Sequence, residues 1–195
     1  MLKIGLTGGI GSGKSTIARV IKTLGYPVYT SDRRAAELTN NHVAIREGLI
    51  RLFGEHIYQA DGKLNKQALA SIIFQNKQAL QQVNSIVHPI VSADFDSWCR
   101  QQTSALVFFE SAILFESNLS HRFDHIITVS APEETRLERV IRRDHTSKEK
   151  VIERMHNQLS DAERERMADY VIHNDDRQQV LTQILQTINH LKQQL

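Results

Sequence analysis

Residues 6–16 of the chain read LTGGIGSGKST. Gly8, four further residues, then Gly13, Lys14 and Ser15 satisfy the phosphate-loop spacing G-x-x-x-x-G-K-[ST]. Few short stretches constrain a fold more, because this one works only between a buried strand and the start of a helix. Its glycines let the backbone curl where other residues resist. The curl turns successive N–H groups inward as a nest for phosphate oxygens, and the helix that begins inside the motif adds its positive end. Lys14 can then reach the β- and γ-phosphates, and the Ser15 hydroxyl is a ligand for Mg²⁺. The surroundings meet the requirement. Residues 2–7, LKIGLT, read as a short apolar strand. Ile17, Ala18, Val20, Ile21 and Leu24 recur at helical spacing, and Gly25 suits the helix end. The pattern predicts an α/β fold of the P-loop NTPase type.

Length allows one core with room for a small appended subdomain. Lys and Arg total 24 against 22 Asp and Glu, a formal net charge of +2. That balance argues against a general nucleic-acid binder, although local clusters can still hold phosphates. The single cysteine, Cys99, fits a reducing compartment. No signal peptide is evident, and no apolar run approaches the ~20 residues that span a bilayer. These features predict a cytoplasmic enzyme that needs no membrane, no nucleic acid and no obligatory protein partner.

Along the chain, residues 26–30 (YPVYT) read as a second strand, after which Ser31 or Asp32 caps a helix. A carboxylate at the tip of the second strand can accept a proton from, or fix, a hydroxyl attacking the γ-phosphate; the residues alone leave open that Asp32 is a plain cap. Residues 42–102 are mostly helical. Ile45, Leu49, Ile50 and Phe53 share a face, Asp61-Gly62 marks a turn, and Asn65 caps a segment with Leu69, Ile72, Ile73 and Phe74. Asn76 caps another with Leu80, Val83, Ile86 and Val87. Pro89 is expected to interrupt it and open a new helix, with His88 extended before it. So many helices between two strands suggest an insertion that binds the second substrate. Residues 105–109 (ALVFF) are a buried strand ending in Glu110, an acid where Mg²⁺ is held in related sites. Glu116 either faces the site or caps a turn. Residues 125–130 (HIITVS) form another strand, and Pro132 opens a helix with Leu137, Val140 and Ile141 on one side. Its other side is expected to carry Arg136, Arg139, Arg142 and Arg143, enough charge for a lid over a triphosphate. Residues 148–168 read as one helix with Val151, Ile152, Met155 and Leu159 inward. Residues 170–173 (YVIH) are the last strand, and a closing helix buries Val180, Leu181, Ile184, Leu185, Ile188 and Leu191.

Taken together these motifs resemble the dephospho-CoA kinase family along nearly the whole chain. The resemblance implies transfer of the ATP γ-phosphoryl group to the ribose 3′-hydroxyl of dephospho-CoA, giving CoA and ADP in the last step of CoA synthesis. It implies a three-layer α/β/α core with a parallel sheet, a helical substrate-binding insertion and an arginine-bearing lid. The expected boundaries are 1–31, 103–135 and 168–195 for the nucleotide-binding core, 32–102 for the substrate domain and 136–167 for the lid. Asp32, Lys14 and Arg139 are the expected catalytic residues. Gly11, Ser12, Gly13, Lys14, Ser15, Thr16, Arg139, Arg143 and Asn174 are expected to bind ATP, with Ser15 on Mg²⁺. Asp32, His88 of the His88-Pro89 pair and Glu116 are expected to meet dephospho-CoA. Gln158 matches the family's downstream glutamine, and Ala168-Asp169 its step into the last strand. The chain departs from the family pattern at Thr30, often a second acid, at Ala112, usually a proline, at Arg136, often a glutamine, and at Arg164, often a lysine. The alternative is another small-molecule or nucleotide kinase on the same scaffold. A GTP-driven switch is disfavoured, since no N-K-x-D sequence occurs.

Overall fold

A computed structural model describes the backbone of all 195 residues and every side chain except those of Phe74 and Gln75. The place of Phe74 in the apolar set of the segment capped by Asn65 therefore lies outside the described side chains. By its internal contacts the chain divides into two compact units, residues 1–30 with 102–195, and residues 31–101.

The first unit is built on five strands: β1 (Leu2–Gly8), β2 (Val28–Thr30), β3 (Leu106–Glu110), β4 (His125–Ser130) and β5 (Tyr170–His173). They pair in the order β2-β3-β1-β4-β5, every pair parallel. Parallel sheets are covered on both faces, so their strands are nearly continuous apolar runs; β3 is buried at every position. On one face Ile4 and Leu6 pack with Ile17 and Ile21 of α1 (Lys14–Thr23) and with Ile184 and Ile188 of α9 (Val180–Lys192). Each such side chain contributes roughly 1.5–3 kcal/mol by leaving water. On the other face Gly5, Phe109 and Tyr29 stand in register across three strands. Tyr29 stacks on Phe109 at 5.5 Å, and Phe123 lies 5.1 Å from Phe109. A Cβ on Gly5 would lie 2.7 Å from Leu114 Cδ1, so the row closes only because that residue has no side chain.

Three helices follow β4: α6 (Glu133–Asp144), α7 (Lys148–His156) and α8 (Asp161–Met167). The last two correct the expectation of one helix over 148–168. The break has a physical cause in the sequence. Ser160 and Glu163 form a capping box, in which each side chain meets the other's backbone N–H; this satisfies helix-end donors and starts α8 afresh. Leu159 thus sits in the break rather than on a stripe. Arg136 is a second correction. It shares the buried side of α6 with Val140, at 4% exposure, while Arg142 and Arg143 are exposed. On α9 Ile184, Ile188 and Leu191 are buried as expected, but Leu181 and Leu185 are exposed.

The second unit is helical: α2 (Ser31–Asn41), α3 (Val43–Phe53), a 3₁₀ turn (Glu55–Ile57), α4 (Lys66–Gln75) and α5 (Lys77–Arg100). Asn65 and Asn76 cap α4 and α5 through the amides of Ala68 and Ala79, both at 3.0 Å. Arg34 grips Asp94 with two hydrogen bonds of 2.8 Å, joining α2 to α5. The expected break at Pro89 is absent: α5 runs through it for 24 residues, and His88 is helical rather than extended. Ala79, Val83, Val87, Val91, Phe95 and Cys99 are buried at a constant spacing of four on both sides of the proline. Proline inside a helix costs about 3 kcal/mol, and burial of that stripe, at roughly 1.5–3 kcal/mol for each large side chain, exceeds it. Ser31 is the first residue of α2 and Asp32 the second, so neither precedes the helix as a cap. In the first turn a carboxylate is favoured by the helix dipole.

Candidate active site

The phosphate loop leaves the carboxyl end of β1, the central strand of the sheet. Gly13 stands before α1 at φ +92°, and Gly11 is at φ +82°. Both positions also lack space. A Cβ at Gly11 would lie 2.5 Å from the Arg136 carbonyl oxygen, and one at Gly13 would lie 2.1 Å from Asn174 Nδ2. Within the curl the Ser12 amide donates to the Gly9 carbonyl at 3.0 Å, and the Thr16 amide to that of Gly13 at 2.8 Å. The amides of Lys14 and Ser15 come before the first carbonyl that α1 can offer them, and amides at a helix start are suited to a phosphate.

Three side chains converge on one carboxylate. Lys14 Nζ donates to Glu110 Oε1 at 2.6 Å, and Ser15 Oγ donates to the same oxygen at 2.8 Å. The Thr30 side chain, at the end of β2, also hydrogen-bonds Glu110. Burial pushes the Glu110 carboxyl up. The Lys14 charge and the bonds from Lys14, Ser15 and Thr30 outweigh it and hold the group below the usual glutamate value. The site therefore contains an ionised, 3% exposed carboxylate beside a hydroxyl and an ammonium. Glu110 and Thr30 are the functional candidates that the sequence undervalued. The strand-ending acid was visible as a signal, but its bond to Lys14 is 96 residues away in sequence.

Arg139 reaches the same region. Its Nη1 donates to the Asn174 carbonyl at 3.1 Å and its Nη2 pairs with Asp176 at 3.0 Å. Asn174 in turn donates through Nδ2 to the Ser12 carbonyl at 2.8 Å, so Arg139 and Asn174 stand together against the loop. Arg143 lies outward, paired at 2.7 Å with Asp144, which Arg154 also binds at 2.7 Å. Those two arginines hold the Asp144 carboxyl far below its usual value. Thr16 is exposed on α1, and Ser12 is buried. Glu116 Oε1 accepts the Leu159 amide at 3.0 Å and lies 3.9 Å from Arg164. Asp32 and His88 belong to the helical unit. Burial lowers the His88 pKa, so its imidazole is neutral at pH 7.

The family model for dephospho-CoA kinase matches residues 2–179. A dephospho-CoA kinase of Bacteroides fragilis is 40% identical over 195 residues, covering 100% of this chain and 95% of the relative. The chain belongs to the dephospho-CoA kinase family. It is a kinase, a transferase of the last step of CoA biosynthesis, on the P-loop α/β fold. The dephospho-CoA kinase of Porphyromonas gingivalis is 45% identical over 158 residues, 81% of this chain and 78% of that protein. A crystal structure of a Thermus thermophilus protein superposes with a TM-score of 0.85 at 33% identity, covering 100% of this chain and 97% of the other.

Among the described residues no group of three or more His, Cys, Asp or Glu side chains could hold a metal. The magnesium ion expected with ATP asks for less: one or two protein oxygens, the rest coming from water and phosphate. The Ser15 hydroxyl and the Glu110 carboxylate, which share a hydrogen bond of 2.8 Å, are a hard oxygen pair of that kind.

Proposed function

We propose that the phosphate loop of this kinase holds the ATP triphosphate while Asp32 orients or deprotonates the ribose 3′-hydroxyl of dephospho-CoA. The supporting observation is the convergence of Lys14, Ser15 and Thr30 on the single carboxylate of Glu110 at the carboxyl end of the sheet. Gly11, Ser12, Gly13 and Thr16 would cradle the phosphates with main-chain and hydroxyl donors. Lys14 and Arg139 would carry the charge that spreads over the transferred group, and Arg143 would add to it as the lid folds in. Asn174 would stand near the adenine. Ser15 and Glu110 are the residues suited to Mg²⁺, which when bound neutralises the β- and γ-phosphate oxygens.

Asp32 follows Thr30 by two residues in the chain, and this closeness supports its role at the acceptor hydroxyl. His88, as a neutral imidazole, would bind the acceptor by hydrogen bonds, and Glu116 would do so from its place beside Arg164. Phosphoryl transfer asks little covalent work of a protein, so positioning and electrostatics are the main contributions of these residues. In this reading residues 32–102 select dephospho-CoA and residues 136–167 act as a lid that excludes water. The reading has the enzyme working in the cytoplasm without nucleic acid, membrane or obligatory protein partner. Its near-balanced charge and single buried thiol, Cys99, are in keeping with that; among the described residues no helix is long and apolar enough to cross a membrane.

The test is ADP release with dephospho-CoA set against a panel of nucleosides and sugars. ADP should form with dephospho-CoA alone. Release with another alcohol would transfer the chain to a different small-molecule kinase, and release without any acceptor would mark it as a hydrolase.

A further inference from the structure

Ile10, in the middle of the phosphate loop, is gripped on both of its backbone groups from outside the loop. Its amide donates to Gln158 Oε1 at 2.8 Å, and its carbonyl accepts from Arg136 Nη1 at 3.3 Å. Both holders are themselves held. Gln158 Nε2 donates to the Ala112 carbonyl at 3.1 Å. Arg136 Nη2 pairs with Asp161 Oδ2 at 2.6 Å, and Arg164 takes the other oxygen of Asp161 while also donating to the Leu159 carbonyl. Arg136 and Arg164 are 4% and 2% exposed. Two buried guanidiniums on one carboxylate are costly unless geometry compensates. They fit because position 9 has no side chain: a Cβ there would lie 2.3 Å from Arg136 Nη1 and 2.5 Å from Arg164 Nη2.

We propose that Arg136 and Gln158 are positioning residues for phosphoryl transfer, holding the Ile10 peptide so that the loop keeps its phosphate-binding curl. Asp161, shared by Arg136 and Arg164, aims the Arg136 fork. The planar fork lets one side chain span Asp161 and the Ile10 carbonyl together, which a lysine ammonium cannot do in the same way. The lid segment between α7 and α8 thereby sets the shape of a loop more than 140 residues earlier. The inference rests on residues 8–15 being the triphosphate site, and calorimetric MgATP binding by the unaltered chain tests that premise separately.

Arg136→Lys keeps the charge against Asp161 and loses the fork. Gln158→Met keeps the side-chain length and loses both hydrogen bonds. In each, the KM for MgATP should rise by about tenfold, as expected for one lost charge-assisted or buried bond that orders the site, with the KM for dephospho-CoA unchanged. Amide hydrogen exchange should quicken at residues 9–13 and stay as before in β1 and α1. A folded variant with an unaltered KM for MgATP and unaltered exchange would overturn the proposal. So would loss of the fold in both variants, since the contacts would then be merely structural.

Discussion

At Glu110, burial alone would favour the protonated acid, and Lys14 is the chief reason that it stays ionised. A carboxylate with a lowered folded pKa contributes stability above its unfolded value, near 4.5, and loses it as pH falls through the folded value. In Lys14→Met the burial persists and the ammonium is gone, so the Glu110 pKa rises. Stranding a buried charge costs about 3–5 kcal/mol, and this cost fades once the acid can take a proton. The denaturation gap between the natural chain and Lys14→Met should therefore be wide at pH 7.5 and narrow toward pH 5. A gap that stays constant would mean that Glu110 is not held ionised by Lys14. Asp32 permits a separate prediction. Asp32→Asn should bind MgATP normally in calorimetry while turnover falls by about 100-fold or more, the range of a lost general base. Unchanged turnover would remove Asp32 from the chemistry.

Among the elements, α5 shows where local rules yield. The rule that helices stop before proline is sound for an isolated segment, and it predicts a break at His88-Pro89. The repeat of buried residues every four positions from Ala79 to Cys99 was equally present in the sequence, and packing decided for it. Pro89→Ala should restore the missing backbone donor and raise stability by about 1–3 kcal/mol, after allowing for the freer unfolded chain. Denaturant titration checks this; no gain would mean that the helix is already relaxed around the ring. The break between α7 and α8 was missed for the opposite reason. Its signal, Ser160 with Glu163, is a capping box that a stripe of apolar residues obscured. Strands fared better because continuous apolar runs tolerate few alternatives: residues 125–130 and 170–173 stand as expected. Of the site, the loop was legible since its chemistry is local. The positions of Arg136 and Gln158 were not, because the contacts that define them cross 126 and 148 residues.

For the whole molecule, ligand binding and folding are linked, because a nucleotide that binds only the folded chain adds stability. MgATP at 100 times its dissociation constant should add about 2.7 kcal/mol, roughly 5–10 °C in melting temperature for a chain of this size. A thermal scan with and without MgATP measures it, and Lys14→Met should erase most of the shift. A shift that survived in Lys14→Met would place the nucleotide elsewhere. The division into residues 1–30 with 102–195 and residues 31–101 means that one scan reports on two compact units, so the two should also be followed by separate probes. The empty position at Gly5 bears on how such a protein is read from its descendants. Leu114 and the ring of Phe123 close over it, so nearly every codon change there is barred by crowding. A survey of tolerated variation would rank that site beside the nucleotide loop, and the ranking would reflect carpentry in the sheet, not chemistry.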